Sequence, residues 1–170
     1  MSEDTEAARQ PAETAPRKER KFLVVIDETP ECDRALLYAA KRARRTGADV
    51  VTLCVAQTSE FQHWLGVENL MREEAEQEAQ EMLDRAINRL WQQIDVVPER
   101  KVVIGNRVDG IRQAIAEDPS IVILVLGAAS GSEGPGPLVS AIAGAQSGGY
   151  PIPIVIVPGA LTDEDIDAIV

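Results

Sequence analysis

Residues Ile121–Gly159 read IVILVLGAASGSEGPGPLVSAIAGAQSGGYPIPIVIVPG, and this stretch decides the fold. Ile121 to Leu126 is an unbroken aliphatic run, the pattern of a strand covered on both faces, as in a parallel sheet. Gly127 is expected to close that strand. The loop after it holds Gly127, Ser130, Gly131, Ser132, Gly134 and Gly136, and a short helix is expected to begin near Leu138. Ile152 to Val157, flanked by Pro151 and Pro153, reads as a second buried strand. Small residues ahead of a helix free backbone N–H groups to cradle an anion. Loops of the same composition also serve as plain strand-to-helix connectors, and without a strict motif the glycines do not choose between the two.

Outward from that stretch the same alternation repeats. Phe22 to Ile26 is an apolar strand with Asp27 at its carboxyl end. Thr29-Pro30-Glu31 has the chemistry of a helix start, with Thr as N-cap and Pro at the first position. Leu36, Leu37, Ala40 and Ala43 follow at helical spacing, and Gly47 ends the helix ahead of a strand over Val50 to Val55. Short connections make this a right-handed parallel crossover. Residues 57–68 are less regular and hold His63 beside Phe61 and Trp64; the lone histidine has no catalytic partner nearby, and the aromatics are read as pinning a loop to the core. A long amphipathic helix is expected from about Asn69 to Gln93, its apolar stripe running from Met71 through Ala79, Leu83, Ala86, Ile87 and Leu90 to Trp91 and Ile94. Val102 to Ile104 is a third strand ended by Gly105. Asn106 caps a helix carrying Val108, Ile111, Ala114 and Ile115, which stops at Asp118-Pro119. Thr162 opens a short terminal helix over 161–170 with Ile166 and Ile169 on one face.

Five strands alternating with four main helices make a doubly wound α/β domain with a parallel sheet, over about residues 21–160. Ligands of such sheets bind outside the carboxyl ends of the strands, where the strand order reverses. The groups at those ends are Asp27, Val55 with Ala56, Gly105, and Gly127 with its loop.

Length and charge bound the rest. The 170 residues suffice for one well-buried core and not for two ordinary domains. Seventeen basic against 28 acidic residues give a net charge of −11, which argues against nucleic-acid partners and anionic membranes. No apolar run approaches the roughly 18 residues of a membrane span. Residues 1–20 are polar, acidic and without an apolar core; they are expected to form a disordered tail rather than a signal peptide, and the protein is expected in the cytoplasm. The basic cluster Arg17, Lys18, Arg20 and Lys21 is read as solvating the approach to the first strand. Cys32 and Cys54 show no metal-ligand or disulfide spacing. Cys54 reads as a small core residue, and Cys32 lies near a helix start, where a thiol pKa can be depressed.

At this point the residues resemble a family. VVIDETPECDRALLYAAKRARRTGADVVTLCV (24–55) is similar to the first strand–helix–strand of universal stress proteins, including the Asp after the first strand. KVVIGNRVDGIRQAIAEDPSIVILVLG (101–127) resembles their third strand, third helix and fourth strand, and PIPIVIVPG (151–159) their last strand. The resemblance implies a five-stranded sheet in the order 3-2-1-4-5. It also implies an adenine-nucleotide site, because ATP-binding members carry G-x2-G-x9-G-[S/T] across the loop and helix start. One register, Gly131-x2-Gly134-x9-Gly144, meets three glycines but begins four residues beyond the strand end. The ungapped register begins at Gly127 and puts Ser130 at the second Gly, Ser140 at the third and Ala141 at the hydroxyl position. Strand and helix geometry favour the ungapped one.

In that register Asp27 and Val55 match positions near the base and Gly127 one near the ribose, while the phosphate end is rewritten. Pro135 and Pro137 remove N–H donors, Ala141 offers none, and Glu133 adds a like charge. The function implied is a non-enzymatic stress-response or adaptor protein, dimeric through the apolar edge strand Ile152 to Val157. The alternative is an adenine-nucleotide (ATP or AMP) binder with at most slow hydrolysis. A Walker lysine, a base for an attacking water and an SGGxDS-type pyrophosphate loop are all absent from the sequence.

Overall fold

The computed structural model of the chain describes residues 19–57, 67–144 and 147–170. Expectations for residues 1–18 and for His63, Phe61 and Trp64 lie outside the described residues. Five strands, β1 (Lys21–Val25), β2 (Asp49–Ala56), β3 (Glu99–Ile104), β4 (Ile121–Ala128) and β5 (Ile154–Pro158), form one parallel sheet in the order β3-β2-β1-β4-β5. The helices between them are α1 (Glu31–Thr46), α2 (Val67–Leu90), α3 (Arg107–Glu117) and α4 (Pro137–Ala143), and α5 (Asp163–Ile169) follows β5.

The two-residue period of each strand splits its side chains between two cores. Phe22, Val24 and Ile26 face a core closed by α1, α2 and α5, whereas Leu23 and Val25 face one closed by α3 and α4. The reversal of strand order about β1, with every strand parallel, forces that division. Right-handed crossovers from β1 outward to β3 place their helices on one face, and crossovers out to β5 place theirs on the other. The reversal point lies between β1 and β4.

Local chemistry fixes most element ends. Gly47 ends α1 in the left-handed conformation, φ 66°, and its N–H bonds the Ala43 carbonyl. Asn106 caps α3 by accepting from the N–H groups of Val108 and Asp109. Thr162 and Asp165 form a reciprocal capping box on α5. The buried Thr52 hydroxyl donates to the Glu99 carbonyl at 2.9 Å and so leaves no orphan in the sheet.

Several expectations are corrected. β4 does not stop at Gly127 but runs through it to Ala128, because Gly127 pairs with Val157. α1 starts at Glu31 behind Pro30, since the Thr29 hydroxyl donates to Asp27 instead of capping the helix. β5 begins at Ile154, and Ile152 packs beneath the α3/α4 face before the strand starts. α2 ends at Leu90, leaving Trp91 exposed beyond it; at the C-terminus Ile169 is exposed and Val170 is buried in its place. The basic approach to β1 does more than solvate. Lys21 pairs with Glu99 and Asp118, each at 2.9 Å, tying the amino-terminal ends of β1 and β3 to the residue that ends α3.

Candidate functional site

The carboxyl ends of β1, β2 and β4 open onto a cleft with two compartments, one on each side of Asp27. The larger, about 240 Å³, is walled by Val25 to Glu28 after β1, Cys54 to Gln57 at the end of β2, Ala75, Glu78, Ala79 and Met82 of α2, and Arg107 of α3. A cavity of roughly 150 Å³ accepts a benzene ring, so this compartment has room for a bicyclic base. The smaller, about 40 Å³, lies between Asp27, Thr29, Glu31 and Cys32 on one side and Leu126, Gly127 and Pro135 to Val139 on the other. It holds only a few waters, since each needs roughly 10–15 Å³ on this measure. Val25, Asp27 and Arg107 border both compartments.

Asp27 is half-buried two residues past β1, and its carboxylate is held in place. The backbone N–H of Thr29 donates to Oδ1 at 2.9 Å and the Thr29 hydroxyl donates to the same oxygen. Val55 is buried at the floor of the larger compartment. α3 presses so closely there that a Cβ on Gly110 would meet Val55 Cγ1 at 2.8 Å, which fixes the position of that side chain. Gly127 lines the smaller compartment, but its lack of a side chain already has a use in packing. A Cβ there would lie 2.5 Å from the Glu31 carbonyl oxygen, so β4 and the first turn of α1 can approach only at glycine.

Asp27, Val55 and Gly127 are therefore brought together around one cleft. Ser130, Gly131 and Ser140 are not. All three are exposed and line neither compartment. The loop is exposed from Ser130 to Glu133 and returns to the cleft through Gly134 and Gly136, with φ 94° and 97°, and the Pro135 carbonyl accepts from Ala129 N–H at 3.2 Å. Pro135 to Val139 then line the smaller compartment.

The thiols are placed unlike the expectation for Cys32. Both cysteines are free and buried. Burial pushes Cys32 up to about 12, against the lowering effect of its bond to the Asp27 carbonyl, and pushes Cys54 up to about 11. Cys54 Sγ lies 3.7 Å from Met82 Sδ, a soft apolar wall for the larger compartment. Sequence reasoning missed Arg107, the first residue of α3, which is half-buried beside both compartments. The signal was there: Arg107 follows Gly105-Asn106 at the carboxyl end of a strand, the place where doubly wound sheets bind ligands. Among the described residues no group of acidic, histidine and cysteine side chains is arranged to hold a metal ion, and no helix is long and apolar enough to cross a membrane.

A sequence model described as "Universal stress protein family" matches residues 19–158. The chain belongs to the universal stress protein family. Solved universal stress proteins share its fold at low identity. The UspA protein of Lactobacillus plantarum superposes with a TM-score of 0.64 at 18% identity, covering 83% of this chain and 99% of its own. An Archaeoglobus fulgidus universal stress protein in complex with dAMP gives 0.54 at 15%, covering 83% and 99%. A family member from Arabidopsis thaliana with AMP bound gives 0.52 at 18%, covering 85% and 94%. No curated protein matches the sequence significantly. The strand order of the family, 3-2-1-4-5, is the order found here.

Proposed function

We propose that this chain is a non-enzymatic universal stress protein of the cytoplasm, a sensor or adaptor whose state is set by an adenine nucleotide held at the Asp27 end of the cleft. The observation that carries this reading is the 240 Å³ compartment floored by Val55, walled by Cys54, Ala79 and Met82, and rimmed by the fixed carboxylate of Asp27. Apolar walls suit the faces of a flat base, and a carboxylate anchored by Thr29 suits an N–H or O–H donor of the ligand. Solved family members of the same fold carry dAMP and AMP.

Against catalysis stands the other half of the cleft. Hydrolysis of a triphosphate needs donors and cations around the transferring phosphate, and this chain puts Pro135 and Pro137 there, with Ser130 and Ser140 turned out to solvent. A second feature supports a dimer. Among the described residues β5 pairs only with β4, and it presents the exposed Ile156 at an open sheet edge.

The test is calorimetric titration of the purified chain with adenosine, together with chromatography of any nucleotide released on denaturation. Adenosine is expected to bind, and Asp27→Ala to weaken it about tenfold, the cost of one good hydrogen bond to a charged group. An affinity unchanged by Asp27→Ala places the ligand elsewhere. No binding of adenosine, with no nucleotide released, leaves the adaptor role without a nucleotide signal.

A further inference from the structure

Arg107 is the cation that borders both compartments, and it stands among carboxylates: Asp27, Glu28, Glu31 and Glu78 also line the cleft. Among the described residues Arg107 has no carboxylate within ion-pair distance, and no hydrogen bond of its side chain is formed. Its charge reaches Cys54 in the larger compartment, where it opposes the upward push of burial on that thiol. An unpaired, half-buried guanidinium at the junction of two cavities is a donor fork waiting for an anion. The surroundings limit how much anion it can take. The smaller compartment has about 40 Å³, its walls include two prolines without N–H groups, and the loop leading to it carries Glu133.

We propose that Arg107 sets the ligand's charge: its guanidinium holds the one phosphate of a nucleoside monophosphate at the junction of the compartments, and the cleft rejects the triphosphate. This rests on the base-end reading above. In a cleft lined by four carboxylates, one phosphate finds one matching cation. Each further phosphate would enter the smaller compartment, about 40 Å³, beside Asp27 and Glu31, with no second cation on its lining to meet it. Selectivity then comes from a side chain on α3, in place of the backbone of the β4–α4 loop.

The experiment is calorimetric titration of the full chain with adenosine, AMP and ATP at one ionic strength, on wild type, Arg107→Ala and Arg107→Lys. AMP is expected to bind at least about tenfold more tightly than adenosine or ATP, the usual value of a charge-assisted hydrogen bond. Arg107→Ala should weaken AMP far more than adenosine and so abolish the preference for the monophosphate, and a circular dichroism spectrum matching the wild type shows the variant to be folded. Arg107→Lys should keep part of the preference. ATP binding as tightly as AMP, or Arg107→Ala weakening AMP and adenosine equally, overturns the assignment while adenosine binding leaves the base pocket standing. Failure of adenosine and AMP alike to bind wild type removes both.

Discussion

The carboxylate of Asp27 accepts two hydrogen bonds from Thr29, one from its backbone N–H at 2.9 Å and one from its hydroxyl. The chain turns sharply there, from the end of β1 into α1, and the side chain that sequence patterning assigns to the helix cap is spent on the aspartate. Thr29→Val removes the hydroxyl, keeps the shape, and leaves the N–H bond. It should lower stability by about 1 kcal/mol and weaken adenosine binding by a smaller factor than Asp27→Ala does. Titration calorimetry on the two variants side by side checks the order; an effect of Thr29→Val as large as that of Asp27→Ala would mean that Asp27 does not meet the ligand directly.

Gly127 carries a different role from the one its family position suggests. A Cβ there lands 2.5 Å from Glu31 O, 2.7 Å from Glu31 C and 3.0 Å from Cys32 N, all backbone atoms of the first turn of α1, while the strand is held in the ladder through Val157. Neither partner can step aside, so Gly127→Ala should cost about 2 kcal/mol in urea unfolding, within the range for overpacked cores. Gly131→Ala is the control. Nothing lies within 4 Å of its Cβ position, and the change should stay within about 0.5 kcal/mol. Equal effects at the two glycines would contradict the packing account.

The contrast between these two glycines marks what the sequence could disclose. Apolar runs and caps are local signals, so the alternation of strands and helices, Asn106 as a cap, and Asp27 and Val55 at strand ends were legible. The path of the β4–α4 loop was not. It depends on positive φ at Gly134 and Gly136 and on Pro135 docking back towards β1, which is a relation between distant segments. That is why Ser130, Gly131 and Ser140 fit a motif by spacing and still face solvent. For Arg107 the strand-end position was legible, but its place beside both compartments arises only when the start of α3 is set across from Asp27.

Both thiols should be silent in the native protein. Cys32 and Cys54 are 2% and 4% exposed, and burial raises their pKa values to about 12 and 11, so the thiolate is scarce at pH 8. An aromatic disulfide reagent should label neither rapidly, and should label both once the chain is unfolded in denaturant. Labelling of the native chain at the rate of a free thiol would contradict the buried placement of the two thiols.

Acid should act partly through Asp118. Its carboxylate accepts from the Ser120 hydroxyl and N–H and from Lys21, and these bonds hold it down to about 2. The folded pKa lies below the unfolded value of roughly 3.9, so the stabilisation is fully present above pH 4 and is lost as the pH falls towards 2. Asp118→Asn should lower stability at pH 7 by about 1 kcal/mol and flatten the acid limb of the stability curve over that window. A carboxyl resonance of Asp118 titrating near 4 in the folded protein would show the network to be ineffective.

The open edge of the sheet makes the last prediction. β5 is five residues long, pairs among the described residues only with β4, and carries Ile156 at 40% exposure, while its neighbours Val155 and Val157 pack inward on the α1 face. An apolar edge of this kind invites a second copy of the same chain. Sedimentation at micromolar concentration is expected to give a dimer for the wild type and a monomer for Ile156→Lys, because a charge at the centre of a self-complementary edge faces its own copy or a buried apolar surface. The substitution is at an exposed position of a short strand, so the circular dichroism of the monomer should match that of the dimer. A wild-type chain that sediments only as a monomer would detach β5 from any role in assembly, and a dimer that survives Ile156→Lys would move the interface to another face of the domain.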